Sequence, residues 1–188
     1  MNTKDSFIEF CYKQHDIVCN QKYGDGLPYS FHLKMVSKVA EQFIELIPKT
    51  KVGNGGIIKG PIYSKERDWV MMGAAGHDLI EDARLTYNDV LNLSGSKHVA
   101  DIIYACTEDK GRSREERHSD KFYKDLSQDK FAVFVKLCDI IANVKYSILT
   151  NSKMFEKYKQ EHNNNWNFLY RDEFKPMFNH LDKLFEVH

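Results

Sequence analysis

Four ionisable side chains lie within six residues of an otherwise apolar segment. His77 and Asp78 are adjacent, and Glu81 and Asp82 follow in the run WVMMGAAGHDLIED. If this run is one helix, its three carboxylates share a face, because residues three and four apart are neighbours, and His77 lies about one-third of a turn away. Burying isolated charges is costly, but an imidazole and carboxylates together can bind a divalent cation that offsets the cost. The pattern predicts a metal site that orients water toward Glu81 or Asp82, and its alternative is a solvated helix end.

Two further candidate ligands lie elsewhere in the chain. His32 is early in the second predicted helix, and Asp139 lies within the run VKLCDIIANV, which is expected to be buried. A buried, unpaired carboxylate is unfavourable, and a role as metal ligand removes this difficulty. The alternatives are that Asp139 pairs with Lys136, three residues earlier, and that His32 only caps or packs. Two imidazole nitrogens and two carboxylate oxygens suit Mn²⁺, Fe²⁺, Zn²⁺ or similar cations without selecting one.

The composition predicts one globular domain and excludes several classes of protein. The chain has 188 residues, of which 42% are hydrophobic, with only 4 Pro and 10 Gly. This is enough apolar material for one core and argues against disorder. The 27 basic and 27 acidic residues give no net charge. The chain as a whole therefore has no attraction to nucleic acid or to an anionic membrane, and we predict neither as a partner.

The cysteines and the hydropathy pattern predict a reduced, cytoplasmic protein. Cys11, Cys19, Cys106 and Cys138 form no CxxC pair, and three of them lie on predicted helix faces. Charges interrupt the apolar residues of the N-terminus every few positions, and no run approaches the roughly 18 apolar residues of a membrane span.

The elements that must position these side chains have helical periodicity almost throughout. Helices are predicted over 5–20, from Ser30 to Pro48, from Glu66 to Asp82, over 86–93, from Ser96 to Cys106, over 129–149, and once or twice within 152–188. A charged connection over 109–121 leads into a further helix. The glycine-rich segment 49–64 predicts a loop or a short hairpin. No segment alternates for long enough to predict a strand, so the fold class is all-α, with 131–148 as its central helix.

The order His32, His77-Asp78, Asp139 on helices resembles the HD-domain metal-dependent phosphohydrolase superfamily. More narrowly, GHDLIEDARLTYNDV is similar to the HDxxED segment of the RelA/SpoT-homologue hydrolases, which remove the 3′-pyrophosphate from guanosine tetraphosphate and pentaphosphate. The similarity extends to three other segments, namely GDGLPYSFH at 24–32, ACTEDKGRSREER at 105–117 and VKLCDIIANV at 135–144. It spans roughly residues 15–150.

This resemblance implies a fold, a metal and a set of site residues. The fold would be a single-domain HD-type helical bundle over 1–188, with helices of 152–188 packed on the core. One divalent cation, expected to be Mn²⁺ with Fe²⁺, Zn²⁺, Mg²⁺ or Ni²⁺ as alternatives, would be bound by His32, His77, Asp78 and Asp139. Glu81 and Asp82 would position or deprotonate the attacking water, and Asn143 would face the nucleotide. The candidates for binding the polyphosphate are Lys110, Arg112, Arg114, Arg117 and Lys136, although the three arginines would equally suit a solvated charged turn.

The chain departs from the family pattern at the position that selects guanine. In the alarmone hydrolases an Arg-Lys pair precedes the PY segment, whereas counting back from His32 places Tyr23 and Gly24 there. Lys22 would substitute only with a shift of one residue. Tyr23 would either stack on a base or pack within the protein.

The activity implied by the resemblance is hydrolysis of the 3′-pyrophosphate of a guanosine alarmone. The alternatives are an HD phosphohydrolase of other nucleotides, such as nucleoside monophosphates or deoxynucleotides, and a non-catalytic nucleotide sensor that acts through a partner. A purely structural helical bundle would bind no stoichiometric metal. The sequence leaves the oligomeric state open.

Overall fold

The computed structural model describes residues 3–48 and 64–187, which are almost entirely helical. The helices are α1 (Lys4–Lys13), α2 (Ser30–Phe43), α3 (Lys65–Gly76), α4 (Tyr87–Ser94), α5 (Lys97–Cys106), α6 (Arg114–Arg117), α7 (Asp120–Leu126), α8 (Lys130–Leu149), α9 (Met154–Leu169) and α10 (Lys175–Val187). Shorter turns are a π-helical turn (Gln14–Val18) and two 3-10 turns (Ile44–Leu46 and Asp172–Phe174). The all-α fold class is confirmed. The predicted loop or hairpin over 49–64 lies outside the described residues, apart from Ser64.

Helix α8 is the centre of the bundle, as the sequence predicts. It begins where the Asp129 side chain accepts hydrogen bonds from the backbone N–H groups of Phe131 and Ala132, at 2.7 and 3.2 Å. It packs against α2, α3, α5 and α9. Neighbours on several sides explain why 12 of its 20 residues are buried, most of them apolar. A polar residue such as Asp139, which is 7% exposed, therefore lies inside the protein.

Helix α3 ends earlier than the sequence predicts. The predicted helix continues to Asp82, but α3 stops at Gly76, and residues 77–82 form turns. A Cβ atom at Gly76 would lie 2.8 Å from Ile103 Cδ1, so this glycine permits a close helix contact. Beyond it the chain bends so that Leu79 and Ala83 enter the core. Helical periodicity does not reveal this bend, which directs His77 and the carboxylates after it to one place.

The segment before α2 contains two features that periodicity does not predict. The first predicted helix ends at Lys13 and continues as the π-helical turn. Strands β1 (Lys22–Tyr23) and β2 (Leu27–Pro28) then pair antiparallel, although no strand is predicted. Helix α2 begins at Ser30, as predicted. Tyr29 occupies its N-cap position, and the Ser30 N–H donates to Asp16 Oδ1 at 2.9 Å. The π-helical turn has five residues and each strand has two, so neither is long enough to produce a periodic pattern.

Gly24→Ala is expected to destabilise the hairpin that precedes α2. Gly24 has φ +52°, and a Cβ atom there would lie 2.0 Å from the hydroxyl oxygen of Tyr146. We expect a loss of about 1–3 kcal/mol in the free energy of unfolding from backbone strain and overlap together. Gly26→Ala is the matched control, because Gly26 has φ +93° with no atom within 4 Å of the added Cβ. Urea denaturation that showed equal losses for the two variants would contradict the overlap with Tyr146.

The C-terminal part of the chain forms two helices, α9 and α10, as predicted. Their apolar side chains join the same core as α8, including Phe155, Leu169, Phe178 and Leu181. Within residues 3–48 and 64–187, no helix combines the length and the apolar character needed to cross a bilayer. All four cysteines are free thiols.

Candidate active site

Three of the four predicted metal ligands form a tight group at the centre of the bundle. His32 comes from α2, His77 from the turn after α3, and Asp139 from α8. His32 Nε2 lies 3.3 Å from both His77 Nε2 and Asp139 Oδ1, and His77 Nε2 lies 3.6 Å from Asp139 Oδ1. All three side chains are buried, and their ligand atoms lie within 4.8 Å of one another. This group can hold a metal ion.

Asp78, the fourth predicted ligand, also faces this group. Its Oδ2 lies 3.0 Å from His77 Nε2 and 3.7 Å from His32 Nε2. Nitrogen and oxygen ligands of one small cation, each about 2.0–2.2 Å from it, are separated from their nearest neighbours by roughly 3 Å. The spacing between the carboxylate of Asp78 and the two imidazoles therefore fits a shared cation.

The hydrogen bonds of the group favour a cation over a purely structural cluster. His77 Nδ1 donates to the carbonyl oxygen of Ala74 at 3.0 Å, so Nε2 is the ring nitrogen that faces His32 Nε2 and the two carboxylates and that a cation would bind. Burial lowers the pKa of His77, but the charges of Asp78 and Asp139 and their hydrogen bonds raise it well above its usual value. The site thus has a strongly negative potential, which a bound cation would neutralise.

The carboxylate of Asp139 is held by two further side chains of α8. Asn143 Nδ2 donates to Asp139 Oδ1 at 2.6 Å, and Lys136 Nζ lies 3.2 Å from Oδ2. Burial raises the pKa of Asp139, but Lys136 and the two imidazoles lower it well below its usual value. The ion pair with Lys136 involves one oxygen and the histidine group the other. The two interpretations of Asp139 are therefore compatible.

Asp82, one of the two predicted water-activating residues, lies beside this group and is fixed by two donors. Gln21 Nε2 donates to Asp82 Oδ2 at 2.9 Å, and the Tyr29 hydroxyl is 3.2 Å from the same oxygen and 2.6 Å from Asp78 Oδ2. Burial and the neighbouring carboxylates raise the pKa of Tyr29, so its hydroxyl stays protonated and donates. The contacts hold Oδ2 and leave the other oxygen of Asp82 for a water molecule.

Glu81, the other predicted water-activating residue, reaches the mouth of the same pocket. Its Oε2 accepts a hydrogen bond from the backbone N–H of Glu108 at 3.2 Å. Burial and the charge of Glu108 raise the pKa of Glu81 to about 7. A carboxylate with this pKa can exchange a proton near neutral pH, which suits a general base.

Behind Tyr29 lies a layer of side chains that the sequence does not single out. The His15 ring stacks on the Tyr29 ring with centroids 4.8 Å apart, and His15 Nδ1 donates to Gln21 Oε1 at 2.6 Å. His15 is fully buried and lies in the π-helical turn, a distortion that is frequent at functional sites. The sequence offers no signal for Gln21, whereas Tyr29 belongs to the segment GDGLPYSFH.

Gln21→Leu is expected to lower kcat about tenfold without releasing the metal. The variant removes one of two donors to Asp82 Oδ2, and misplaced catalytic groups typically cost one to two orders of magnitude. Steady-state kinetics would measure kcat, and metal analysis would measure the metal content of the variant. Gln42→Leu, at an exposed glutamine that accepts from Lys145, is the matched control. A Gln21→Leu enzyme with unchanged kcat would show that Tyr29 alone suffices to hold Asp82.

Glu108 connects the charged segment 109–121 to the metal group. It accepts from His118 Nε2 at 2.5 Å and from Arg117 Nε at 3.0 Å, and Lys136 Nζ lies 3.7 Å away. Burial raises the pKa of Glu108, but the hydrogen bond from His118 and the charge of Lys136 lower it to about 2. The His118 side chain lines the pocket as well.

The predicted phosphate-binding residues divide into two groups. Lys136, Arg114 and Arg117 line the pocket, whereas Lys110 and Arg112 are not among its lining residues. The three that line it are already paired within the protein. Arg114, for example, forms two hydrogen bonds to Glu161, at 2.6 and 3.1 Å.

Tyr23 packs against the metal group and is half-buried. Its ring stacks on His32 with centroids 4.7 Å apart, and Tyr146 lies at the same distance. Its hydroxyl donates to Asn143 Oδ1 at 2.8 Å. Tyr23 thus packs within the protein and also lines the pocket, so both alternatives for this residue stay open.

The comparisons with known proteins support the fold. No family model and no curated protein sequence matches the chain. Among solved structures, a metazoan orthologue of SpoT, described as hydrolysing ppGpp and as having a role in starvation responses, superposes with a TM-score of 0.71. The chain has the fold of this SpoT-type hydrolase. The match covers 98% of this chain and 94% of the other, at 19% sequence identity. The resemblance to HD-domain SpoT-type hydrolases is confirmed at the level of the fold, and a fold can host more than one activity.

Proposed function

We propose that this protein is a metal-dependent phosphohydrolase whose leading substrate is guanosine 3′,5′-bis(diphosphate), which it would cleave to guanosine diphosphate and pyrophosphate. The observation that carries the proposal is the convergence of His32, His77, Asp78 and Asp139 beside two further carboxylates. The shared fold with a ppGpp hydrolase supports the choice of substrate. One divalent cation would bind this group, and Mn²⁺ is our leading choice.

In the proposed mechanism a carboxylate of the pocket accepts the proton of the attacking water. A bound divalent cation would lower the pKa of a water molecule and offset charge on the phosphoryl oxygens. Glu81, with its pKa of about 7, would accept the proton of the attacking water at neutral pH. Asp82, held through Oδ2 by Gln21 and Tyr29, would orient that water with its free oxygen.

The basic side chains of the pocket would bind the phosphate groups. Arg114, Arg117 and Lys136 line it, and guanidinium groups contact phosphate in a bidentate manner. Each now pairs with a carboxylate of the protein, so the substrate would have to replace or share these partners. Asn143 would act mainly by holding Asp139, and its contact with the nucleotide remains a proposal.

A substrate with fewer phosphates is the second candidate, and three observations favour it. The pocket has a volume of about 190 Å³, whereas sites for small molecules are commonly about 300–1,000 Å³. Its lining carries more carboxylates than basic groups, which disfavours a highly charged anion. Tyr23 and Gly24 replace the guanine-holding Arg-Lys pair of the resembling family. A nucleoside monophosphate is smaller and less charged than guanosine tetraphosphate, so it would fit this pocket more easily.

The test of the proposed function is turnover with product analysis. The chelated protein would be reloaded with Mn²⁺ and incubated with guanosine tetraphosphate, guanosine diphosphate and ribo- and deoxyribonucleoside monophosphates, and the products would be separated by anion-exchange chromatography. Pyrophosphate release from the tetraphosphate alone supports the leading substrate. Orthophosphate release from the monophosphates instead supports the second candidate. No metal-dependent release from any of them contradicts both.

We propose that residues 1–188 form one HD hydrolase domain with a core over about 15–150, on which the helices of 152–188 pack. A cytoplasmic location follows from the expectation that its free cysteines stay reduced.

A further inference from the structure

Helix α9 supplies a row of three side chains to the pocket. Tyr158, Glu161 and Asn165 all line it, and spacings of three, four and seven residues place side chains on one face of a helix. We call these three residues the α9 face. They lie outside segment 15–150, on which the resemblance to the HD-domain hydrolases is based. The pocket is thus completed by a part of the chain to which the proposed mechanism gives no role.

Asn165 carries an unpartnered polar atom on this face. The residue is only 3% exposed, and within the described part of the chain no group donates a hydrogen bond to its Oδ1. A buried amide oxygen without a donor is unfavourable, and leucine, which has a similar shape, would avoid this penalty. Such an atom beside a pocket indicates a ligand that supplies the missing donor.

The surroundings of Asn165 indicate the chemistry of that donor. Glu161, one turn earlier, is an anion that binds Arg114 through both of its oxygens, and His118 Nδ1 lies 3.9 Å from it. Because Arg114 balances the charge of Glu161, the acceptor that this part of the pocket offers to a ligand is the amide oxygen of Asn165. This oxygen suits an N–H or O–H group and disfavours phosphate. The Tyr158 ring lies beside them, with the Arg114 guanidinium 5.5 Å from its centroid.

We propose that the α9 face binds the nucleobase of the substrate, with Asn165 Oδ1 accepting a hydrogen bond from a ring N–H or amino group of guanine. Guanine suits this acceptor because its N1–H and its 2-amino group are adjacent donors. The phosphates would then lie toward Lys136, Arg117 and the metal group, and of the three basic side chains that line the pocket Arg114 would stay paired with Glu161. This inference rests on the proposed function and names the part of the protein that would select the base in place of the Arg-Lys pair, where this chain has Tyr23 and Gly24.

The proposal is tested by binding of guanosine diphosphate to the full chain loaded with Mn²⁺, measured by isothermal titration calorimetry. Asn165→Leu is expected to weaken this binding at least tenfold, because it removes the acceptor and keeps the shape. Its Tm is expected to equal or exceed that of the wild type, since the change also removes an unpartnered buried group. Binding of pyrophosphate, a probe without a base, is expected to be unchanged.

Asn163→Leu is the matched control, because Asn163 lies on the exposed side of the same helix. Equal affinity of the wild type and Asn165→Leu for guanosine diphosphate overturns the proposal, as do equal losses in both variants and absence of binding by the wild type. Turnover of any nucleotide by the wild type would leave the proposed function intact in each case. If Asn165→Leu does not fold, Asn165→Ala is judged by the same tenfold criterion.

Discussion

Asp139→Asn is expected to remove the metal and to lower nucleotide turnover by about 10³-fold or more. Asp139 also holds a buried lysine, through the 3.2 Å contact to Lys136. Asparagine keeps the size of the side chain but loses the charge that attracts the cation. A lost cation removes several kcal/mol of stabilisation of the transition state, and each 1.36 kcal/mol is a factor of ten in rate.

Metal analysis and single-substrate kinetics would measure both effects of this substitution. Lys136 keeps a second carboxylate, Glu108, at 3.7 Å, so the variant is expected to fold. Asp101→Asn is the control, because Asp101 pairs with Lys97 and Tyr87 on the other face of α5 from the core. A stoichiometric cation retained in Asp139→Asn at full affinity would refute the ligand role of Asp139.

Glu81→Gln is expected to lower kcat by about 10²–10⁴ while the protein keeps its metal. This is the range that general acid-base catalysis contributes, and an amide cannot accept the proton of the attacking water. Glu81 lies three residues beyond Asp78 and accepts a hydrogen bond from the backbone N–H of Glu108, so the substitution leaves the metal ligands themselves unchanged. Rapid-quench kinetics at saturating substrate, with metal analysis of the same sample, would measure the loss.

The pH dependence of kcat is a second test of the role of Glu81. Burial and the charge of Glu108 raise the pKa of Glu81 to about 7, so the group is protonated and inactive as a base at lower pH. We expect kcat of the wild type to rise with pH through about 7, and this rise to be absent in Glu81→Gln. Glu115→Gln, at an exposed acid of α6, should retain the wild-type profile. A wild-type profile that is flat between pH 6 and 8 would contradict a role for Glu81 as the base.

The sequence predicts the helices and the metal ligands because both depend on local signals. Helix α4 begins where Thr86 and Asp89 form a capping box, and such a pair is visible in four letters of sequence. Asp139 is recognisable because a carboxylate within a run of buried apolar residues requires a partner. The His77-Asp78 pair is recognisable in the same way. These residues can be recognised without knowing how the helices are arranged.

The parts that the sequence does not predict depend on contacts between distant segments. Gln21 and Asp82 are 61 residues apart and meet only because β1 and the turn after α3 lie together. Glu161 binds Arg114 across 47 residues. A sequence shows that an arginine is present but not whether its charge is already balanced. The predicted phosphate-binding residues were therefore found in the pocket only in part, and already paired.

The end of α3 is the clearest case of tertiary structure overriding a local pattern. The apolar residues continue to Leu79 and Ile80 at helical spacing, and both segments on either side are helical. The close approach of α5 at Gly76 and the burial of Leu79 bend the chain instead. The carboxylates after His77 reach the pocket because of this turn and not because they share a helix face.

The most direct test of the central claim is the position of a bound cation. A crystal of the Mn²⁺-loaded protein would be measured at the manganese absorption edge, and an anomalous difference map would locate the ion. We expect one strong peak about 2.0–2.3 Å from the facing atoms of His32, His77, Asp78 and Asp139. A peak elsewhere, or none at these four side chains in a fully loaded crystal, would contradict the metal centre and with it the proposed reaction.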